Sequence, residues 1–226
     1  MPCNRFCEIH KFLHFADNEA FDCNTHTNPK LHKIWPVLQP LNELFQRAVT
    51  PGRDIVSDET LMLFKGRLGW RQYMLKKRSH FEVKSYLLCE SSLGYIWSQI
   101  IYTGKGTVFE AKYIYLSQSI QVVMSLTKPL LKQGYCLITD NFYTSPELAY
   151  ILLWNCKTKP KRNASRIKKR ESQKVKMLLF VEIKVLAMKW KDEKDVTMLS
   201  TVHTNHMVDV QCHNKVVKKP NCQRLQ

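Results

Sequence analysis

Glycine is scarce in this chain, at seven residues in 226, and nowhere do glycines cluster as a phosphate-cradling loop requires, which argues against a nucleotide-binding fold of that kind. No run of about 18 or more apolar residues occurs, so no membrane-spanning helix and no membrane partner are expected. The first residues, MPCNRFCEIHKF, lack the apolar centre of a secretory leader, and a secreted protein is not expected. Cysteine occurs eight times, at Cys3, Cys7, Cys23, Cys89, Cys136, Cys156, Cys212 and Cys222. No two of them have the two-residue spacing of a redox or zinc motif, and without a leader they are expected to be reduced thiols. Two mixed groups, Cys3/Cys7/His10/His14 and His203/His206/Cys212/His213/Cys222, match no zinc-finger spacing, so no metal is assigned to either.

Acidic residues are in deficit, 19 against 35 basic ones, for a net charge of +16. That excess favours a polyanionic partner such as DNA, because each neutralised phosphate releases counterions. A content of 44% hydrophobic and 11% aromatic residues supports a folded globular chain rather than a disordered one, and the order of elements read below makes it α/β.

Residues 1–50 read as helical. Phe6, Ile9, Leu13 and Ala16 form one apolar stripe, and Val37, Leu38, Leu41, Phe45 and Ala48 a second, with Pro36 and Pro40 in the first turn of that helix. Strand candidates follow at Asp54–Phe64, Phe81–Cys89 and Tyr95–Tyr102, the last two joined as a hairpin. A helix is expected over Ser119–Lys132, ended by Gly134. A buried strand then runs Tyr135–Thr139, with Asp140 at its end, and a helix is capped by Ser145 with Pro146 at its first position. The core is therefore placed at 51–156, a basic loop at 157–175 and remaining strands at 176–226. Two strands flank Lys191–Lys194, and from Thr204 onward no period is visible.

Asp58 lies in the middle of one strand candidate and Asp140 at the end of another. Carboxylates in such places are costly unless exposed, paired or bound to metal. If the two strands are neighbours in one sheet, both carboxylates converge and can hold divalent ions for phosphoryl chemistry. If they are not neighbours, each is an ordinary solvated residue.

The segments around these residues carry a resemblance. Asp58-Glu59 with LMLFKGRLGWRQYM (61–74), and GYCLITDNFYTSPEL (134–148), resemble the catalytic signatures of the piggyBac transposase family. So do RFCEIHKFLHFAD (5–17), TPGRDI (50–55), CESSLGYIWSQIIYTGK (89–105) and VLAMKWKDEKDVTMLSTVH (185–203). The resemblance implies an RNase H-like mixed sheet with flanking helices, incomplete here and preceded by a short helical segment. It implies DNA transposition at TTAA targets through a triad of aspartates. On it, Asp58 and Asp140 match the first two catalytic and metal-binding aspartates, with Mg²⁺ or Mn²⁺ as the ion. Lys65, Arg67, Arg71, Lys76, Lys77 and Arg78, dense after the first Asp, are candidate phosphate contacts that position DNA without reading its sequence.

The family's third Asp has no match, and Asp192, Asp195 and Asp209 are poor substitutes. Lys157–Arg170 replaces an expected strand, and its basic run is the basis for a nuclear location, with the cytoplasm as the alternative. The expectation is a transposase-derived chain, truncated and catalytically inactive. The alternatives are a DNA- or chromatin-binding module without chemistry, an active enzyme supplied with the missing carboxylate from elsewhere, or a decayed fragment. DNA is the expected partner and no small-molecule substrate is; a homodimer stays open.

Overall fold

The computed structural model describes residues 2–19, 21–75, 80–154, 180–182, 185–191, 195–202, 207–212 and 215–220. These form four α-helices and ten strands in two compact units, one of residues 1–130 with 135–140 and one of 131–134 with 141–226. Among the described residues no helix is long and apolar enough to cross a membrane.

The first unit is organised by a mixed sheet. Strand β1 (Asp54–Leu63) pairs antiparallel with β3 (Phe81–Glu90), Asp58 lying opposite Leu87. Strand β3 turns tightly into antiparallel β4 (Ile96–Ile101), with a bulge at Leu88/Cys89. Short β2 (Gln72–Tyr73) continues the same side of β3 beyond β4. On the other side of β1, β5 (Cys136–Thr139) runs parallel to it, from Asp54↔Cys136 to Ser57↔Thr139. An antiparallel meander joined through a helical crossover to a parallel strand is the RNase H-like arrangement expected from the sequence.

The crossover contains α3 (Gln118–Thr127), in which Ile120, Val122, Val123 and Met124 are fully buried and Leu126 nearly so. A helix apolar on most sides belongs in an interior, and each such side chain contributes about 1.5–3 kcal/mol by leaving water. Thr127 is accommodated there because its hydroxyl donates to the Val123 carbonyl at 2.7 Å. The helix ends at Thr127, not at Lys132 as the periodicity suggested. Pro129 follows in a 3-10 turn, and having no N–H it cannot continue the ladder of hydrogen bonds to the residue four positions back. Gly134 keeps a different role: its φ of 88° makes the turn into β5.

The N-terminal helices differ from their predicted stripes. Helix α1 (Cys3–Lys11) buries no residue, stops before Leu13, and leaves Phe6 and Ile9 exposed. Helix α2 (Trp35–Ala48) has Pro36 in its first turn but holds Pro40 inside. The expected inward residues Val37 and Leu41 face solvent, while Trp35, Leu38, Asn42, Phe45 and Gln46 are half-buried. The reason is the partner, a sheet edge whose backbone groups need hydrogen bonds. Asn42 meets that need in both directions. Its amide nitrogen donates to the Gln99 carbonyl at 2.7 Å, and its oxygen accepts the Gln99 N–H at 2.9 Å. In return β4 and the residue before it cap the helix end, Tyr95 donating to the Phe45 carbonyl and Trp97 to that of Val49.

In the second unit, α4 (Pro146–Trp154) starts as predicted, the Ser145 hydroxyl accepting the Leu148 N–H at 3.1 Å. Strands β6 (Phe180–Glu182), β7 (Val185–Lys191) and β8 (Asp195–Ser200) form an antiparallel sheet. The tail without visible period is corrected: Met207–Cys212 and Lys215–Pro220 pair antiparallel as β9 and β10. The basic run 157–170 lies outside the described residues.

Two outcomes are expected from this packing. Asn42→Leu keeps the volume but strands the Gln99 donor and acceptor, and should lower stability by about 1–3 kcal/mol in urea unfolding. Glu90 accepts the Leu93 N–H at 2.7 Å, the Ser92 N–H at 3.0 Å and the Ser92 hydroxyl at 2.9 Å. These bonds, that of Leu93 first, hold its carboxyl below the usual glutamate value. Its stabilising effect is therefore present above the unfolded value of about 4.3 and lost as pH falls through the folded one. Glu90→Gln should flatten that acid-side loss when unfolding is compared at neutral and acidic pH.

Candidate metal and nucleic-acid site

Alternation along β1 sends successive side chains to opposite faces. Ile55, Ser57 and Glu59 share one face with Leu88 and Tyr86 of β3, and Ile55, Ser57, Leu88 and Tyr86 are buried. Helix α3 lies on this face, since its first residue, Gln118, hydrogen-bonds the Tyr86 hydroxyl. Burial first, then the neighbouring Tyr102 and Glu59, pushes that phenol up to about 12, so it stays a neutral donor and acceptor. Glu59 itself is paired with Lys84 at 3.7 Å, and the Lys84 ammonium also lies 5.0 Å from the Tyr86 ring centre.

Asp58 points the other way. The Asp-Glu dipeptide thus divides its charges, with Glu59 tied into the helix-backed face and Asp58 exposed on the opposite one. Strand β5 adds the second carboxylate. Its last pair with β1 is Ser57↔Thr139, so one residue further along two parallel strands come Asp58 and Asp140. Asp140 is the first residue after β5; strand alternation carried one residue past the ladder would put it on the Val56/Ile138 side with Asp58. Neighbouring strands run about 5 Å apart. Both aspartates are exposed, so their charges carry little desolvation cost. Asp58 Oδ1 accepts the Glu59 N–H at 2.8 Å, which orients the carboxylate.

Two adjacent oxygen donors fit a hard ion such as Mg²⁺ or Mn²⁺, which is often held by one or two carboxylates with water completing its shell. Asp54 shares the face but lies four residues down the strand, about 13 Å away. Asp195 begins β8 opposite Lys191, Asp209 pairs with Lys218 in β9, and Asp192 lies outside the described residues. Among the described residues, no group of three histidines, cysteines or acids could hold a metal. That includes Cys3 and Cys7, which are free thiols on α1.

Cys89 is only half-buried and sits on the Asp58 face, opposite Val56. Burial first and the Asp58 carboxylate second raise its thiol pKa. Only the β1–β3 register reveals this proximity; nothing in the spacing of the two residues signals it. Strand β5, expected to be buried, is half-exposed, with Ile138 45% accessible.

The basic residues after β1 separate into three groups. Lys65 and Arg67 are exposed. Arg71 is engaged in closing its own loop, donating to the Gly66 carbonyl at 2.9 Å with its guanidinium 4.2 Å from the Phe81 ring centre. Lys76, Lys77 and Arg78 lie outside the described residues.

Comparison with known proteins follows the same lines. The sequence model of the family described as Transposase IS4 matches residues 1–224. Among solved structures, the chain is similar to a piggyBac transposase in a cryo-EM synaptic complex with hairpin DNA, with a TM-score of 0.70 and 23% identity. The likeness covers 89% of this chain and 44% of that one, so these 226 residues span under half the length of the protein they resemble.

Proposed function

The chain belongs to the family described as Transposase IS4; from that premise we propose that it derives from a piggyBac-type transposase, whose fold it shares, and that its first unit keeps part of a metal-dependent site for cutting and joining DNA. The observation that supports this is the β1–β5 register, whose last pair Ser57↔Thr139 is followed on each strand by an exposed aspartate, Asp58 and Asp140. Asp58 and Asp140 would hold Mg²⁺ or Mn²⁺. When bound, such ions activate the attacking oxygen and stabilise the leaving one in in-line phosphoryl transfer.

The chain's own residues have three tasks. The two carboxylates would fix the ion at the end of the β1–β5 ladder. Glu59 stays out of the site through its Lys84 ion pair. Lys65 and Arg67 contact phosphates and position a DNA strand without reading bases. With two such carboxylates among the described residues and three in the aspartate triad, the chain would bind metal through the pair and DNA through Lys65 and Arg67, but does not transfer strands unaided. Loss of an essential ligand costs on the order of a thousandfold or more in rate. A second function, a DNA- or chromatin-binding module without chemistry, is favoured by the net charge of +16. It would act in the nucleus, with the 157–170 run as import signal, and would tolerate loss of both aspartates.

Thermal unfolding with and without Mn²⁺ separates the two. An ion at about 100 times its dissociation constant should stabilise the wild type by roughly 2.7 kcal/mol. Asp58→Asn and Asp140→Asn should each abolish the shift. A wild-type melt indifferent to Mn²⁺ removes the metal site and leaves the binding module. DNA affinity tests the second element. In fluorescence anisotropy, Lys65→Ala with Arg67→Ala should reduce the slope of log K against log salt by about 1.8 in magnitude, near 0.9 per lost phosphate contact. An unchanged slope places the DNA surface elsewhere.

A further inference from the structure

Well before the first catalytic-type aspartate, the segment from Phe21 to Trp35 gathers four aromatic rings around an open cavity of about 280 Å³. Phe21 and His32 lie 4.2 Å apart between ring centres. His26 meets Phe21 at 5.8 Å, His32 at 5.3 Å and Trp35 at 5.9 Å, each nearly edge-on. Both imidazoles are fixed by backbone groups. The Asn28 N–H donates to His26 Nδ1 at 2.9 Å, so that nitrogen presents a lone pair, and His32 Nε2 donates to the Asp17 carbonyl at 3.1 Å. The rings are therefore held in place at the surface rather than merged into the core: Phe21 is 36% exposed, and His26, His32 and Trp35 are half-buried.

The cavity's charge selects its ligand. Asp22 lines it and is the one acidic or basic side chain, histidines apart, among its lining residues. Lys30, a nearby cation in sequence, is committed to the carbonyls of Thr103 and Lys105 at 2.8 and 2.7 Å. A single carboxylate beside aromatic rings suits a cation better than a phosphate. A metal ion is not that cation, since no group of three ligating side chains forms among the described residues. What remains is an organic cation with weakly hydrated surface, which aromatic faces attract through their quadrupole and an acidic neighbour reinforces.

We propose that the cavity lined by Phe21, His26, His32 and Trp35, with Asp22, binds a methylated ammonium group of the kind carried by a trimethylated lysine side chain. Methylation matters because it removes the hydration that an unmodified ammonium would have to give up, while leaving the charge. The site is separate from the carboxylate pair, so its occupancy does not depend on metal or on DNA chemistry.

Isothermal titration calorimetry on the full chain tests it with three probes: capped Nε-trimethyl-lysine, the same compound unmethylated, and choline. Trimethyl-lysine should bind at least about fivefold more tightly than lysine. Phe21→Leu, which keeps the apolar volume and removes the π-face, should weaken binding about fivefold. Asp22→Asn keeps the Oδ1 acceptor for the Asn24 N–H and should weaken it by a similar factor. Unchanged cooperative melts of both variants separate these losses from misfolding. Trimethyl-lysine preferred over choline assigns the site to a protein side chain, and equal binding assigns it to free quaternary amines. No binding of either methylated probe up to roughly 10 mM, equal affinity for unmethylated lysine, or indifference to Phe21→Leu overturns the proposal.

Discussion

The parallel ladder between β1 and β5 is the constraint on which the candidate site depends. It is only four residue pairs long, yet it alone brings Asp140 beside Asp58. A slip of one residue would turn Asp140 onto the face covered by α3 and leave Asp58 alone. The chain spends several devices on this register. Gly134 supplies the left-handed turn into the strand, and the Cys136 N–H donates to the Arg53 carbonyl at 2.7 Å, just before β1 begins. The apolar crossover α3 then limits where the strand can dock, because its buried residues hold it against β3 and β4.

The two helices flanking the meander act by different physics. Helix α3 is held by burial of apolar surface, which is strong but non-directional. Helix α2 buries no residue fully and is held by directional bonds at an otherwise open sheet edge. The combination gives a sheet backed by packing on one face and closed along one edge by hydrogen bonds. The opposite face of β1 and β5, with Asp58 and Asp140, carries the exposed carboxylates, and rigidity beneath them is what a preorganised ion site requires.

How far the sequence revealed this differs by element. Strands β1, β3 and β4 were legible because each combines β-branched or aromatic residues with recognisable turns, and α4 because Ser145-Pro146 is a strong start signal. The inward face of α2 was not, because hydrophobic periodicity cannot show that Asn42 and Gln46 turn toward a strand edge needing polar partners. The β9–β10 hairpin was missed because its Val/Asp/Val alternation is only a few residues long. For the site, periodicity could propose Asp58 and Asp140 but could not decide whether their strands are neighbours. The resemblance of the flanking motifs made that expectation specific. The aromatic cavity left no trace in any period, since its four rings are brought together by an irregular turn, a 3-10 segment (Pro29–Ile34) and the first residue of α2.

The division of the Asp58-Glu59 pair between faces also bears on how a basic protein could keep acids at a surface proposed to meet DNA. Glu59 is compensated locally by Lys84. Asp58 and Asp140 face outward, so a phosphodiester brought to this face meets two carboxylates of its own sign. At a few ångströms such repulsion amounts to about 1 kcal/mol per charge pair even in bulk water, and more where solvent is excluded. The net charge of +16 can draw DNA to the molecule as a whole but cannot remove this local penalty, because salt screens distant charges within about 10 Å. DNA affinity of the chain and occupancy of its carboxylate face by a cation are therefore coupled: whatever neutralises Asp58 and Asp140 also opens that face to phosphate, and by linkage the reverse holds with the same free energy.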